Sequence, residues 1–202
     1  MMTNKGEQTK AEILTISKQI FSKNGFSSVT MSDLCEATGL SRGGLYRHFS
    51  STKEVFTVLF ESDKDNWQTE MDNAMQKGIP ALQMLEVYLN QIQKEIHDGA
   101  GGLSLALYDF VQSKQESNSF LDARYDLGVN MMKSLLHYGQ QRGEFKSFNL
   151  QTEAEHIVIF LEGLKTASAV IPFSDEVISR QLNHILERIK TEGVHNEKKS
   201  CI

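Results

Sequence analysis

Apolar residues recur along this chain three and four positions apart, the spacing of amphipathic helices, and strand-like alternation is nearly absent. Only two prolines interrupt the 202 residues. The pattern predicts an all-α protein of about nine helices. We expect them at about residues 7–24, 30–38, 42–49, 51–76, 81–97, 103–115, 119–142, 152–171 and 174–191.

The predicted helices divide the chain into two parts. Three helices make an N-terminal head in residues 1–50, and longer helices make a body in residues 51–192. Residues 193–202 are polar and are expected to form a disordered tail.

The most informative pattern is TMSDLCEATGLSRGGLYRHF, residues 30–49. Thr30 and Asp33 have the spacing of a capping box at the start of the second helix. Gly39 stands where that helix needs a residue with positive φ, and Ser41 is a good N-cap for the next helix. Two short helices joined by a turn of about three residues are typical of the helix-turn-helix.

The third helix combines poor helix formers with a cationic surface. Gly43 and Gly44 each cost about 1 kcal/mol relative to alanine inside a helix. Leu45 and Phe49 are spaced to anchor the helix to a core. The missing side chains at the two glycines would let the backbone lie close to a base edge or a phosphate.

The outward residues of this motif are predicted to contact DNA. Arg42 or Arg47 can pair with guanine O6 and N7, while Tyr46 and His48 can donate to phosphate oxygens. The predicted contacts from the motif are Thr30, Ser32, Ser41, Arg42, Gly43, Gly44, Tyr46, Arg47 and His48.

Residues 25–56, GFSSVTMSDLCEATGLSRGGLYRHFSSTKEVF, resemble the head of the tetracycline-repressor (TetR) family of transcription regulators. The resemblance rests on the A-x-G-L-S turn, the G-x-L-Y-x-H-F stretch and the Lys53–Glu54 pair that opens the fourth helix. Three residues separate Phe49 from Lys53, where the family usually has two. The resemblance implies a DNA-binding homodimer, and it adds Lys53 as a phosphate contact.

Charge is distributed in a way that suits this interpretation. The chain carries a net charge of −5, but residues 1–54 hold seven Lys and Arg against five Asp and Glu. A basic head on an acidic body can orient the molecule on DNA while limiting nonspecific binding.

Other features argue against a secreted, membrane or metal-dependent protein. No apolar run approaches the roughly 18–20 residues of a membrane span, and the first residues have no signal-peptide core, so we expect a cytoplasmic protein without a membrane partner. Cys35 and Cys201 do not make a disulfide framework, and Cys35 is expected to fill a small buried slot. The histidines have no metal-type spacing, and no catalytic motif is present, so we predict no enzyme activity, metal or cofactor.

The sixth predicted helix is apolar nearly all round, which is typical of a central helix, and Asp109 falls among its apolar residues. Asp109 is either a paired or partly exposed carboxylate, or a polar group lining a ligand cavity. The residues proposed to line a pocket for an unknown small-molecule effector are Trp67, Met71, Tyr88, Tyr108, Asp109, Met131 and Phe160, although each taken singly suits an ordinary core.

The eighth predicted helix has almost no polar face and must be covered on two sides. The ninth carries one apolar stripe, which intramolecular packing alone can explain. We predict a two-fold, four-helix interface between two copies. Its residues are Phe160, Gly163, Leu164, Ala167, Leu182, Ile185 and Ile189.

These patterns favour a homodimeric, ligand-responsive repressor on a near-palindromic operator, with recognition helices about one DNA turn apart. A ligand would shift the population toward a conformer whose heads no longer match the half-sites. Two alternatives stay open: an all-α enzyme or carrier with a fortuitous helix-turn-helix, and an activator or architectural DNA-binding protein.

Overall fold

The computed structural model of the protein describes residues 5–113 and 119–191, apart from the side chains of residues 62–67, 100 and 119. The predicted tail at 193–202 lies outside these residues. The structure is all-α, as predicted, and its described part contains one isolated antiparallel bridge, between Phe145 and Lys190. In that same part, no helix is long and apolar enough to cross a bilayer.

Nine helices follow one another in the described residues. Their bounds are α1 Lys5–Asn24, α2 Met31–Thr38, α3 Arg42–Tyr46, α4 Thr52–Gln76, α5 Ala81–His97, α6 Ala100–Gln112, α7 Ser119–Gln141, α8 Leu150–Ser168 and α9 Asp175–Ile189.

Helix α3 ends three residues earlier than predicted. The amides of His48 and Phe49 both donate to the Leu45 carbonyl, at 2.9 and 3.0 Å, so the chain turns tightly after Tyr46. Five residues are too few for a stable isolated helix, so α3 depends on the packing of Leu45 and Phe49, which are 0% and 1% exposed.

Helix α6 begins earlier than predicted, because Gly101 and Gly102 lie inside it and do not break it. A Cβ on Gly101 would lie 2.4 Å from the Lys165 carbonyl oxygen on α8, and one on Gly102 would lie 2.1 Å from the Ser22 oxygen on α1. The two glycines therefore let α6 pack closely between α1 and α8.

Buried side chains form two clusters. The body cluster draws on α5, α7, α8 and α9. The head cluster draws on α1 to α3 and also on Val55 and Phe56 of α4 and Phe110 of α6. The core of the head therefore extends past residue 50 and is completed by a helix far along the chain.

Candidate nucleic-acid interface

The start of α2 has the predicted capping box. The Thr30 hydroxyl accepts from the Asp33 amide, and the Asp33 carboxylate accepts from the Thr30 amide at 2.8 Å. The amide and hydroxyl of Thr30 hold the pKa of Asp33 below its ordinary value of 3.8. Asp33 therefore stays charged at the positive end of the helix dipole, where a negative charge is favourable.

The turn between α2 and α3 is built as the sequence predicts. Gly39 ends α2 with φ +69°, in the left-handed region that glycine adopts without penalty. Ser41 caps α3, because its hydroxyl accepts from the Gly44 amide at 3.2 Å.

The two glycines of α3 have different surroundings. No atom of the described residues lies within 4 Å of a Cβ built on the exposed Gly43. Gly44 is half-buried, and its Cβ would lie 3.3 Å from the Ser41 hydroxyl oxygen. The prediction that both glycines face outward is wrong for Gly44, whose missing side chain leaves room for the cap of its own helix.

The remaining predicted contacts of α3 are mostly on its outer surface. Arg42, Tyr46 and Arg47 are exposed, and Tyr46 retains 48% of its accessible surface. His48 is half-buried. Three groups able to donate to phosphates or base edges are therefore presented by α3 and the residue that follows it.

An open depression of about 420 Å³ separates α3 from the starts of α2 and α4. It brings together four predicted contacts, Thr30, Ser32, Arg42 and Tyr46. Its wall also contains residues 50–52, Ser-Ser-Thr, which the sequence prediction missed although the run of hydroxyl residues beside the motif was a visible signal. The depression is lined by hydroxyl side chains and one guanidinium together with Val29 and Met31, and its polar groups suit a phosphate backbone.

The start of α4 is capped by side chains of two serines and a glutamate. The Ser51 hydroxyl accepts from the Glu54 amide, but the Glu54 carboxylate accepts from the amide and hydroxyl of Ser50, both at 2.6 Å. These bonds from Ser50 lower the pKa of Glu54 from its ordinary value of 4.5. Lys53 is half-buried and is not among the residues that line the depression.

Asp109 is a carboxylate paired within the chain. It accepts from the amide and hydroxyl of Ser27, at 2.7 and 2.6 Å, in the turn between α1 and α2. Partial burial raises the pKa of the Asp109 carboxyl, but the hydrogen bonds from Ser27 and from the backbone of Phe26 together outweigh it and leave that pKa below its ordinary value of 3.8. Of the two alternatives, the paired carboxylate is the one that the structure shows.

The other predicted pocket residues differ in their exposure. Met71, Tyr88 and Phe160 are half-buried against the body cluster, Met131 is half-buried, and Tyr108 is 44% exposed. Burial raises the pKa of Tyr88 to about 12. The side chain of Trp67 lies outside the described residues. A second depression, of about 770 Å³, follows the outer face of α9 and is lined by none of the predicted pocket residues.

The predicted dimer surface needs correction. Leu164, Leu182, Ile185 and Ile189 are 9% exposed or less and pack into the body cluster of their own chain, so they are not available to a second copy. Intramolecular packing, the alternative for the last helix, accounts for its apolar stripe.

The outward face of α8 has a different composition. Gly163 is exposed there, while Phe160 and Ala167 are half-buried. Exposed residues that the prediction left out lie on the same helix or just after it: Ile159 at 60%, Val170 at 75% and Ile171 at 50%.

The described residues contain no group of three or more His, Cys, Asp or Glu side chains placed to hold a metal ion. Cys35 is a half-buried free thiol beside the head cluster, whereas Cys201 lies beyond residue 191 and is not described.

Comparison with known proteins agrees with this geometry. Residues 13–59 match the family model described as bacterial regulatory proteins, tetR family, and residues 84–179 match a tetracyclin repressor-like C-terminal domain. The HTH-type transcriptional regulator YfiR of Bacillus subtilis, itself uncharacterized, is 32% identical over 143 residues, 69% of either chain. The regulator UidR of Escherichia coli K12 is 21% identical over 145 residues, 71% of this chain and 72% of UidR.

Solved structures show the same fold over nearly the whole chain. The reduced form of Escherichia coli NemR superposes with a TM-score of 0.74 at 18% identity, covering 93% of this chain and all of NemR (100%). A TetR-family regulator from Agrobacterium tumefaciens gives 0.74 at 14% identity, covering 92% and 100%. With both parts of the sequence matched and the helix-turn-helix in place, the chain belongs to the TetR family of bacterial transcription regulators.

Proposed function

We propose that the protein is a homodimeric repressor that acts in the cytoplasm, binds a near-palindromic DNA operator through α2 and α3, and leaves it when a small molecule binds the helical body. The observation that carries this proposal is the exposed surface of α3 beside a hydroxyl-lined depression, on a head that matches the family model. Membership of a family of transcription regulators favours this function over an enzyme or carrier.

Residues of α3 are placed to contact both the phosphates and the bases of DNA. Arg42 and Tyr46, four residues apart, border the depression with Thr30 and Ser32. The Thr30 hydroxyl donates to the Asp33 carboxylate, so we expect Arg42, Tyr46 and Ser32 to supply the donors to phosphates. Arg42 also stands in the first turn of α3, the part of a recognition helix that meets base edges in the major groove. We expect it to contribute to sequence preference, most simply by pairing with a guanine.

The outward face of α8 supports the homodimer. Ile159 and Val170 are apolar and largely exposed, and Gly163 lies between them with nothing within 4 Å of its Cβ position. Because glycine costs about 1 kcal/mol inside a helix, its place there is accounted for by a second helix that crosses closely. The same face on a second copy satisfies this, since a two-fold interface is self-complementary.

Release by a ligand is explained by two conformers of the protein that differ in the placement of their heads. A small molecule that binds the body more tightly in a conformer with misplaced heads lowers the population able to bind both half-sites. Its effect is limited by its differential affinity for the two conformers.

The proposal is tested by selecting bound sequences from a random DNA pool and measuring affinity for the selected operator. Arg42→Ala is expected to weaken operator binding about tenfold, the usual effect of losing a base-reading arginine. Arg180→Ala is the matched control, since Arg180 is an exposed arginine on α9 that pairs with Glu176 at 3.8 Å. Recovery of no preferred sequence, or unchanged affinity of the Arg42 variant, would count against the proposal.

A further inference from the structure

A carboxylate on α6 is hydrogen-bonded to the turn that leads into the helix-turn-helix. Asp109 accepts two hydrogen bonds from Ser27, from the amide to Oδ2 at 2.7 Å and from the hydroxyl to Oδ1 at 2.6 Å. Both distances are those of strong, charge-assisted bonds. The partners are 82 residues apart in the sequence, so this contact joins the head to a helix of the distant part of the chain.

The turn is shaped to fit this carboxylate. Gly25 has φ +77°, and a Cβ there would lie 3.1 Å from Asp109 Oδ2. The next residue, Phe26, is 2% exposed, and its ring lies 4.6 Å from that of Phe110 and 5.0 Å from that of Phe56. One polar contact and one aromatic contact therefore hold the same turn against the same helix.

The position of this turn determines where α2 begins. The Val29 amide donates to the Phe26 carbonyl at 3.2 Å, Val29 is buried, and Thr30 then caps α2 directly. Helix α3 follows after a single short turn at Gly39. A shift of the turn at Ser27 therefore moves both helices of the DNA-binding motif.

The other side of α6 is held by α8. A Cβ on Gly101 would lie 2.4 Å from the Lys165 carbonyl oxygen and 2.7 Å from the Ala169 nitrogen, so the two backbones are in close contact. One helix thus touches both the turn before α2 and the helix that carries the exposed apolar face.

We propose that Asp109 is a positioning residue for DNA binding, whose hydrogen bonds with Ser27 set the orientation of α2 and α3 on the body. This orientation in turn sets the distance between the two recognition helices of a dimer. This inference rests on the proposed function, since half-site spacing has meaning only for a dimer on an operator. Asp109 itself does not touch the DNA.

A positioning role predicts a change that a loss of stability alone does not produce. If the hydrogen bonds between Asp109 and Ser27 set the distance between recognition helices, their loss widens the range of half-site spacings that the dimer binds. A merely structural contact, when removed, lowers the melting temperature or weakens binding equally at every spacing.

The experiment measures the affinity of the full chain for a series of operators whose half-sites are moved apart or together by one and two base pairs. Ser27→Ala and Asp109→Ala are expected to lose about tenfold at the preferred spacing, the scale of a lost bond to a charged group, and distinctly less at the others. Ser27→Thr keeps the hydroxyl and should restore the spacing preference. Ser28→Ala, in the same turn, is the matched control and should bind like the wild type.

Equal weakening at all spacings, or wild-type behaviour of the Ser27 variant, would overturn the inference. Ser27→Ala removes only one of the two bonds, so the test stands even where Asp109→Ala fails to fold. If the wild-type chain selects no DNA sequence at all, the proposed function fails. If the variants lose affinity equally at every half-site spacing, only the role of Asp109 is overturned.

Discussion

The three glycines of the DNA-binding motif are there for three different reasons. Gly39 adopts a positive φ, and Gly44 leaves room for the hydroxyl that caps its own helix. Gly43 has neither a positive φ nor any atom within 4 Å of its Cβ position. Because no described residue requires a glycine at position 43, we expect the reason for this glycine to be the close approach of DNA to α3.

Gly43→Ala is therefore expected to raise the thermal stability of the protein while it weakens DNA binding. Alanine is the better helix former by about 1 kcal/mol, which should raise the melting temperature by about 2–4 °C. The added methyl should weaken operator binding about tenfold where DNA meets the backbone, as a misfit of one contact does. Both effects are measured by thermal unfolding and by fluorescence anisotropy with the selected operator.

Gly128→Ala on α7 is the matched control, because its Cβ would sit at an ordinary 3.6 Å from Val158. It should raise the melting temperature without any change in DNA affinity. Wild-type affinity of the Gly43 variant would show that DNA does not come close to this residue.

Local residue patterns could be predicted well from the sequence, and distant partners could not. The cap at Thr30 and the turn at Gly39 depend on neighbours within four residues, so the sequence contains all that is needed to recognise them. For Asp109 the sequence leaves two alternatives open, a paired carboxylate or a ligand contact. Its partner, Ser27, lies 82 residues away, and neither local sequence indicates that the two side chains meet.

At the scale of single elements, α2 and α4 both begin at a serine or threonine cap backed by a carboxylate. Asp33 bonds to the amide of Thr30, and Glu54 to the amide and hydroxyl of Ser50. Each carboxyl has its pKa lowered in the folded protein, from ordinary values of 3.8 and 4.5. Such groups contribute stability above their unfolded pKa values, and that contribution is lost as the pH falls through the lower, folded values.

Acid should therefore loosen these two helix starts together. The melting temperature is expected to fall as the pH drops below about 4, and Asp33→Asn and Glu54→Gln should each reduce the difference between pH 7 and pH 3. Thermal unfolding followed by circular dichroism measures this. Glu36→Gln, which changes an exposed carboxylate on the same helix as Asp33, is the control; an equal reduction by this variant would refute the role of the caps.

The periodicity of an element shows that one of its faces is covered, but not what covers it. The pattern of α9 is compatible both with intramolecular packing and with a partner helix, and Leu182, Ile185 and Ile189 pack within their own chain. The difference is decided by how α9 lies against α5, where Gln93 donates to Ser179 at 2.9 Å. That geometry depends on the connections between helices, which the pattern of a single helix does not contain.

At the scale of the whole molecule, the two C-terminal helices turn different surfaces outward. The outer face of α9 is polar and carries Arg180, Asn183, His184 and Glu187. The outer face of α8 carries Ile159 and Gly163, and Val170 is exposed just after the end of this helix. We therefore expect α8 to supply the apolar centre of the dimer, with α9 contributing at most polar contacts at its edge.

Ile159→Asp tests this interface. A charge buried at the centre of a dimer without a partner is costly, so the variant should sediment as a monomer at micromolar concentration while the wild type sediments as a dimer. Val87→Asp is the matched control, because Val87 on α5 is 58% exposed against 60% for Ile159. A dimeric Ile159 variant, or a monomeric wild type, would contradict the proposed assembly.

The shared core beneath the head also limits how this protein can change. Phe110 of α6 packs against Phe26 and Phe56, so a head transplanted without its α6 would leave an aromatic cluster open to water. Recombination between family members, cutting near residue 50, would join mismatched halves of this core. We therefore expect new operator preferences to be acquired more readily by substitutions on the outer face of α3 than by exchange of whole heads.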